Sequence, residues 1–252
     1  MRVEIIPRLT HHCTQSGAHP GNHPLLENTD RKFMSGNSPR QSIYSLTFRA
    51  HPWHGVPLGE NFPNRVTAYI EMVQSDNMKF ELDKETGILR IDRPQRFSNH
   101  CPAPYGLIPQ TLCASRVAAF CMAKTNRVEV AGDGDPLDVC VLCESNINHG
   151  NVLLNARPIG GLRMIDGNEA DDKILAVLDG DLAYENVEDI NDLPTKLVDR
   201  LRHYFLTYKE IPGGALPCTE ITHVFSREEA LEIIRLSHED YCEAFPSLNQ
   251  KT

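Results

Sequence analysis

The chain has 252 residues, 40% of them hydrophobic, enough to bury a sizeable core in one large domain or two small ones. Its 34 acidic residues outnumber 25 basic ones, and the formal net charge of -9 argues against a nucleic-acid binder, which needs a basic face. No stretch of about 18 apolar residues is present, so no membrane span is expected.

Residues 1–41 are rich in His, Pro, Asn, Ser and Thr without sustained periodicity, and residues 1–45 read as a disordered tail. The opening lacks a long apolar stretch of signal-peptide type. Glu4, Glu27 and Asp30 weigh against an organelle transit peptide without removing that option, and Met34 is an alternative start. Residues 46–252 read as one domain, with short strands first and helices last.

VTAYIEMV (66–73) alternates modestly, and MKFEL (78–82) alternates cleanly, with Met78, Phe80 and Leu82 on one face and Lys79 and Glu81 on the other. DKETG (83–87) is a turn signal, and ILRID (88–92) continues as its hairpin partner. Further strands are expected at 127–130, 137–143, 151–165, 173–178 and 220–225. From Pro194, suited to a first turn, to about Lys209, the residues Leu197, Leu201, Tyr204 and Tyr208 recur at helical spacing. A second helix opens at Ser226 with a capping box to Glu229, and Ala230, Ile233, Ile234 and Tyr241 make its apolar face. The pattern predicts a mainly β domain with helices (α+β): a small closed sheet with two principal helices packed outside. No Gly-rich loop follows a strand, so a Rossmann or P-loop reading has no support.

Eight cysteines invite a disulfide or zinc reading. Cys140 and Cys143 form a C-x-x-C, yet they lie in an apparent strand, where residues three apart point to opposite faces. With no second pair to complete a site, the cysteines read as plain thiols in a reducing compartment, which fits the cytoplasm.

The segment GDGDPLDVCVL (132–142) is the most informative in the chain. Asp133, Asp135 and Asp138 fall within six positions, and two such charges at 4 Å oppose each other by roughly 4 kcal/mol at an effective dielectric of ~20. Pro136 places the first two on a turn, whereas Asp138 stands between Leu137 and Val139 in an apolar run. A carboxylate there is costly unless paired, hydrogen-bonded or bound to metal. Hard oxygen donors at this spacing suit Mg²⁺ or Mn²⁺ better than zinc. DGD alone is an ordinary solvated turn, and so is the second acidic stretch, DGNEADDK (166–173). Lys79, Arg93, Lys173 and Lys209 each read singly as surface charges. Together with acids and tyrosines they would suit phosphoryl transfer.

GDGDPLDVCVL resembles the signature of the soluble family I inorganic pyrophosphatases. The similarity continues, in the family's order, through HPWHGVPL (51–58), AYIEM, KFELDKETGILRIDRP, CPAPYGLIPQT, ARPIGGLRMID, DDKILAV and HYFLTYK, over roughly residues 51–245. The resemblance implies an OB-like five-stranded closed barrel and Mg²⁺-dependent hydrolysis of pyrophosphate, with Mn²⁺ or another divalent ion as a substitute. The enzyme would then be an inorganic diphosphatase acting by in-line attack of a metal-activated water, and a homo-oligomer by family habit. Carried over by position, Asp133, Asp138, Asp166 and Asp171 match metal ligands, and Glu71 matches another active-site acid. Asp135 falls on the general base, and Lys79, Arg93, Tyr105, Lys173, Tyr208 and Lys209 fall on phosphate-contacting positions. Cys101 stands where many members carry a tyrosine, Gly167 replaces an acid, and residues 111–131 form a variable insert.

Two other classes are open on the residues alone. DGD could be the D-x-D motif of a glycosyltransferase, although no nucleotide-binding βαβ unit accompanies it. The chain could also be a metal-binding OB module without activity.

Overall fold

Ten strands and three α-helices occupy residues 50–211, 213–214 and 218–248, which this computed structural model describes. The expected tail, residues 1–45, lies outside the described residues. In chain order the strands begin with β1 (Val66–Met72), buried throughout, then β2 (Met78–Leu82) and β3 (Leu89–Pro94), which form a separate antiparallel hairpin. β4 (Tyr105–Leu107), helix α1 (Ser115–Thr125), β5 (Ala131–Gly132) and β6 (Asp138–Leu142) follow. Next come β7 (Val152–Asp166), β8 (Glu169–Ala170), β9 (Lys173–Leu178) and helix α2 (Thr195–Thr207). β10 (Thr219–Ser226) and helix α3 (Arg227–Ala244) complete the order.

Five strands close the expected ring: β1 pairs with β4, β4 with β6, β6 with β9, β9 with β7, and β7 back with β1. Within it only β6 and β9 run parallel. The ring closes because β7, 15 residues long, serves β1 and β9 within it and goes on to β10 and β8 beyond it. Its start pairs with β1, its middle with β9 past a register shift between Pro158 and Gly160, and its end with β10.

Strand alternation sorts the core. Val139, Val141, Ile174 and Ala176 pack in one cluster with Val117 and Cys121 of α1 and Ala230, Ile233 and Ile234 of α3. Cys140, Leu142, Leu175 and Val177, one residue out of phase, pack with Leu201, Tyr204 and Phe205 of α2. Register therefore decides which helix each strand residue meets.

Four local expectations are corrected. The insert 111–131 contains the third helix, α1, which has no side-chain cap of its own. Residues 127–130 are not a strand: Asn126 ends α1 in the left-handed region at φ 55, and Glu129 sits at φ 62, so strand pairing waits until Ala131. Pro194 is the residue before α2, with ψ 125, rather than part of its first turn. Ser226 does precede α3, but makes no capping hydrogen bond; Asp189 Oδ2 accepts from the Arg227 N–H at 2.8 Å, and Glu229 turns to Arg163 instead.

Candidate active site

The ring strands converge on a cavity of about 210 Å³. β1 contributes Glu71, β2 Lys79 and Glu81, β4 Tyr105, and the turn into β6 Asp133, Asp135 and Asp138. Asp166 ends β7, Asp171 and Lys173 enter β9, and Tyr208 and Lys209 follow α2. Of the residues expected at the site, Arg93 alone is not on the cavity wall. It pairs with Asp92, is the register partner of Lys79, and sits 5.7 Å over the Tyr208 ring.

Backbone geometry spreads the three signature aspartates. Gly134 takes φ +75, a value that suits glycine, and so turns the chain between Asp133 and Asp135. Asp133 Oδ1 accepts the Asp135 N–H at 2.8 Å, and Cys113 pins the same turn through its N–H to Asp135 O (2.8 Å) and its carbonyl to Gly134 N (3.0 Å). Asp138 then opens β6 directly opposite Lys173 of β9. The Lys173 ammonium pairs with both Asp138 and Asp171 and lies 5.7 Å from the centre of the Phe205 ring. Burial works against its charge, but the two carboxylates hold it well above the usual lysine range.

The acids differ in what balances them. Burial, with the Asp138 charge adding, pushes Glu71 up to about 8, although Glu71 Oε1 accepts the Leu82 N–H at 2.7 Å. Burial and the charges of Asp171 and Asp138 raise Asp133 to about 8. Asp166 goes the other way: burial opposes its charge, but hydrogen bonds from Lys209, Cys218 (3.1 Å) and Thr219 (2.9 Å) bring it to about 2. Burial and the neighbouring Asp138 raise the Tyr105 phenol well above its ordinary value, so it stays a proton donor.

Eight carboxylates line the cavity (Glu71, Glu81, Asp133, Asp135, Asp138, Asp166, Glu169 and Asp171) against four lysines (Lys79, Lys84, Lys173 and Lys209). As arranged, no group of three or more His, Cys, Asp or Glu among the described residues is gathered closely enough to hold a metal ion. Lysine ammoniums stand between the acids instead. The donor chemistry nevertheless fits hard divalent cations: every candidate ligand is a carboxyl oxygen, and even with Glu71 and Asp133 protonated near neutral pH the remaining six acids outnumber the four lysines.

Lys84 and Glu169 on the cavity wall were not expected from the sequence. Lys84 belongs to DKETG, a turn signal that gives no sign of what the turn leans against. It pairs with Asp135.

Comparison with known proteins gives a consistent result. The family model described as inorganic pyrophosphatase matches residues 68–242. An inorganic pyrophosphatase of Chlamydia trachomatis is 52% identical over 200 residues, spanning 78% of this chain and 96% of that protein. Soluble inorganic pyrophosphatase 1 of Arabidopsis thaliana is 31% identical over 223 residues, covering 86% of this chain and 95% of its own length. The crystal structure of inorganic pyrophosphatase from Thermus thermophilus superposes with a TM-score of 0.63 at 29% identity, covering 75% of this chain and 98% of that one.

Proposed function

We propose a mechanism from one premise: the chain belongs to the inorganic pyrophosphatase family and hydrolyses pyrophosphate to two orthophosphates. The observation that carries the mechanism is the cavity wall of eight carboxylates and four lysines, since an anionic substrate enters such a site only with added positive charge. In this reading Asp133, Asp138, Asp166 and Asp171, with Glu71 beside them, would hold Mg²⁺, or Mn²⁺ in its place, and the ion would supply that charge. When bound, divalent ions lower the pKa of water and offset charge on the phosphates.

The protein's own groups do the rest. Asp135, about half exposed at the cavity edge, accepts a proton from the attacking water. Attack at one phosphorus in line with the bridging oxygen breaks the P–O–P link and releases the second phosphate. Lys79, Lys173 and Lys209 on the cavity wall offset the charge that gathers on the departing phosphate, with Arg93 set back over the Tyr208 ring and paired with Asp92, and the Tyr105 and Tyr208 hydroxyls donate to the phosphate oxygens. Lys173 and Lys209 keep their protons throughout: burial opposes both charges, but Asp138 and Asp171 hold Lys173, and Tyr208 and Asp166 hold Lys209, above the usual lysine range.

Residues 46–252 constitute the catalytic domain in this reading. Residence in the cytoplasm accords with the unpaired thiols of the described cysteines, and homo-oligomer assembly rests on family habit. No described helix is long and apolar enough to cross a membrane. Phosphate release from pyrophosphate should require Mg²⁺, and Asp135→Asn should slow turnover about 10²–10⁴-fold with the melting temperature retained. Near-full turnover in Asp135→Asn removes the base assignment.

A further inference from the structure

The signature turn is fixed along its backbone but not at the carboxylate that matters most. Cys113 and Asp133 hold the backbone of Asp135, and the other candidate site acids have partners of their own. The Asp135 carboxylate has one side-chain partner among the described residues, the Lys84 ammonium, which reaches across from the turn between β2 and β3. Both side chains are about half exposed, and a pair so placed contributes little to folding.

The turn that presents Lys84 is built with more care than such a pair needs. Asp83 Oδ1 accepts from Thr86 N (2.9 Å) and Thr86 Oγ1 (2.7 Å), and its second oxygen pairs with Arg90 at 3.1 Å. Gly87 closes the turn at φ +70, where a Cβ would also come within 2.7 Å of the His51 ring. That ring accepts at Nδ1 from the backbone N–H groups of Trp53 (3.2 Å) and His54 (3.4 Å), which leaves Nε2 to donate to the Lys84 carbonyl at 3.2 Å. The HPWH segment thus braces the backbone of Lys84, and Lys84 in turn holds Asp135.

We propose that Lys84 is a positioning residue: it holds the Asp135 carboxylate at the cavity edge, oriented toward the attacking water and apart from the carboxylates assigned to metal. This rests on the reading of Asp135 as the base. A misplacement of a reacting group by about 1 Å is enough to cost as much as 10²-fold in rate. Lysine suits the task because its single charged head on a flexible stem can follow the carboxylate through proton transfer.

The test is a kinetic cycle on the full chain with Lys84→Met, Lys84→Arg, Asp135→Asn and the double variant Lys84→Met/Asp135→Asn. Lys84→Met should lower kcat about 10- to 100-fold with KM for pyrophosphate unchanged, and Lys84→Arg should recover most of the loss. In the Asp135→Asn background the same change should cost less than about twofold, because the group Lys84 acts through is already disabled. Calorimetric binding of inorganic phosphate with Mg²⁺ present should match the unsubstituted protein in Lys84→Met. A raised KM with weakened phosphate binding would make Lys84 a substrate contact and overturn the positioning role, as would additive losses in the double variant. If Asp135→Asn is slow and Lys84→Met is not, the positioning inference fails alone. If Asp135→Asn itself keeps full turnover, the base reading fails first.

Discussion

Asp171 and Asp172 are neighbours in sequence and meet opposite environments. Asp171 faces the cavity and pairs with Lys173, in a wall where acids outnumber lysines eight to four. Asp172 faces the interior and pairs with Arg163 at 3.2 Å, both side chains fully buried. Arg163 also meets Glu229 at 2.8 Å and lies 5.3 and 5.4 Å from the centres of the Phe120 and Phe225 rings. Lys124 joins Glu229 at 2.8 Å, so the interior network sets two cations against two acids. The interior charges match in number within the chain, although burial still raises Asp172 to about 7 against the pull of Arg163. The cavity is left with excess negative charge, and that excess is what makes it a site.

Removing one partner from a balanced buried pair should hurt folding far more than chemistry. Arg163→Met should destabilise by about 3–5 kcal/mol in denaturant melts, since it strands Asp172 uncompensated in the interior. Arg163→Met combined with Asp172→Leu should recover part of that loss by removing the stranded acid. A single variant that melts with the unsubstituted protein yet turns over slowly would break the distinction, because it would put Arg163 in the chemistry.

The excess charge at the cavity, the front of a contrast whose back is the buried Arg163 network, makes a pH prediction of the next size. Glu71 sits at about 8 because burial and Asp138 disfavour its charge. Its folded value is above the ordinary 4.5, so its contribution to stability is complete below about pH 4.5 and is lost as pH rises through about 8. In protein stripped of divalent ions, the stability gap between the natural chain and Glu71→Gln should therefore shift by a few kcal/mol between pH 5 and pH 9, at about 1.4 kcal/mol per pKa unit. The natural chain should lose ground on the alkaline side. A gap that does not change with pH would mean that Glu71 is already balanced, and the contrast between front and back would lose its strongest member.

How much of this was legible follows from what each residue answers to. Four of the five ring strands announce themselves as apolar or modestly alternating runs, and the signature aspartates through the cost of three acids in six positions. The fifth, β4, is only three residues long and gives no such signal, so it was not expected. Alternation in MKFEL found β2 but not the meaning of its faces. Met78 is 37% exposed, whereas Lys79 and Glu81, the polar side, line the cavity. A polar face turned to a site and one turned to water give the same period. Lys84 reads as an ordinary turn lysine until the hairpin is seen leaning on the 133–138 turn. Helix caps failed for a related reason: α1 and α3 take their capping carboxylates from Asp240 and Asp189, which no window around either helix start contains.

Asp240 offers the smallest and most discriminating test. Its carboxylate accepts from the N–H groups of Ala114 (3.1 Å), Arg116 (3.0 Å) and Val117 (3.3 Å), and its burial leaves it no alternative in water. A carboxylate at a helix N-terminus also meets the positive end of the helix dipole. Asp240→Ala should cost about 1–2 kcal/mol, the usual loss for a cap, read as a lowered denaturation midpoint. The capped end is one residue from Cys113, whose backbone pins the Asp133–Asp135 turn. Those bonds do not pass through Asp240, so turnover per folded molecule should hold steady. Should turnover fall with stability at a matched folded fraction, α1 would be carrying force from the balanced interior into the site, and front and back would have to be treated as one unit.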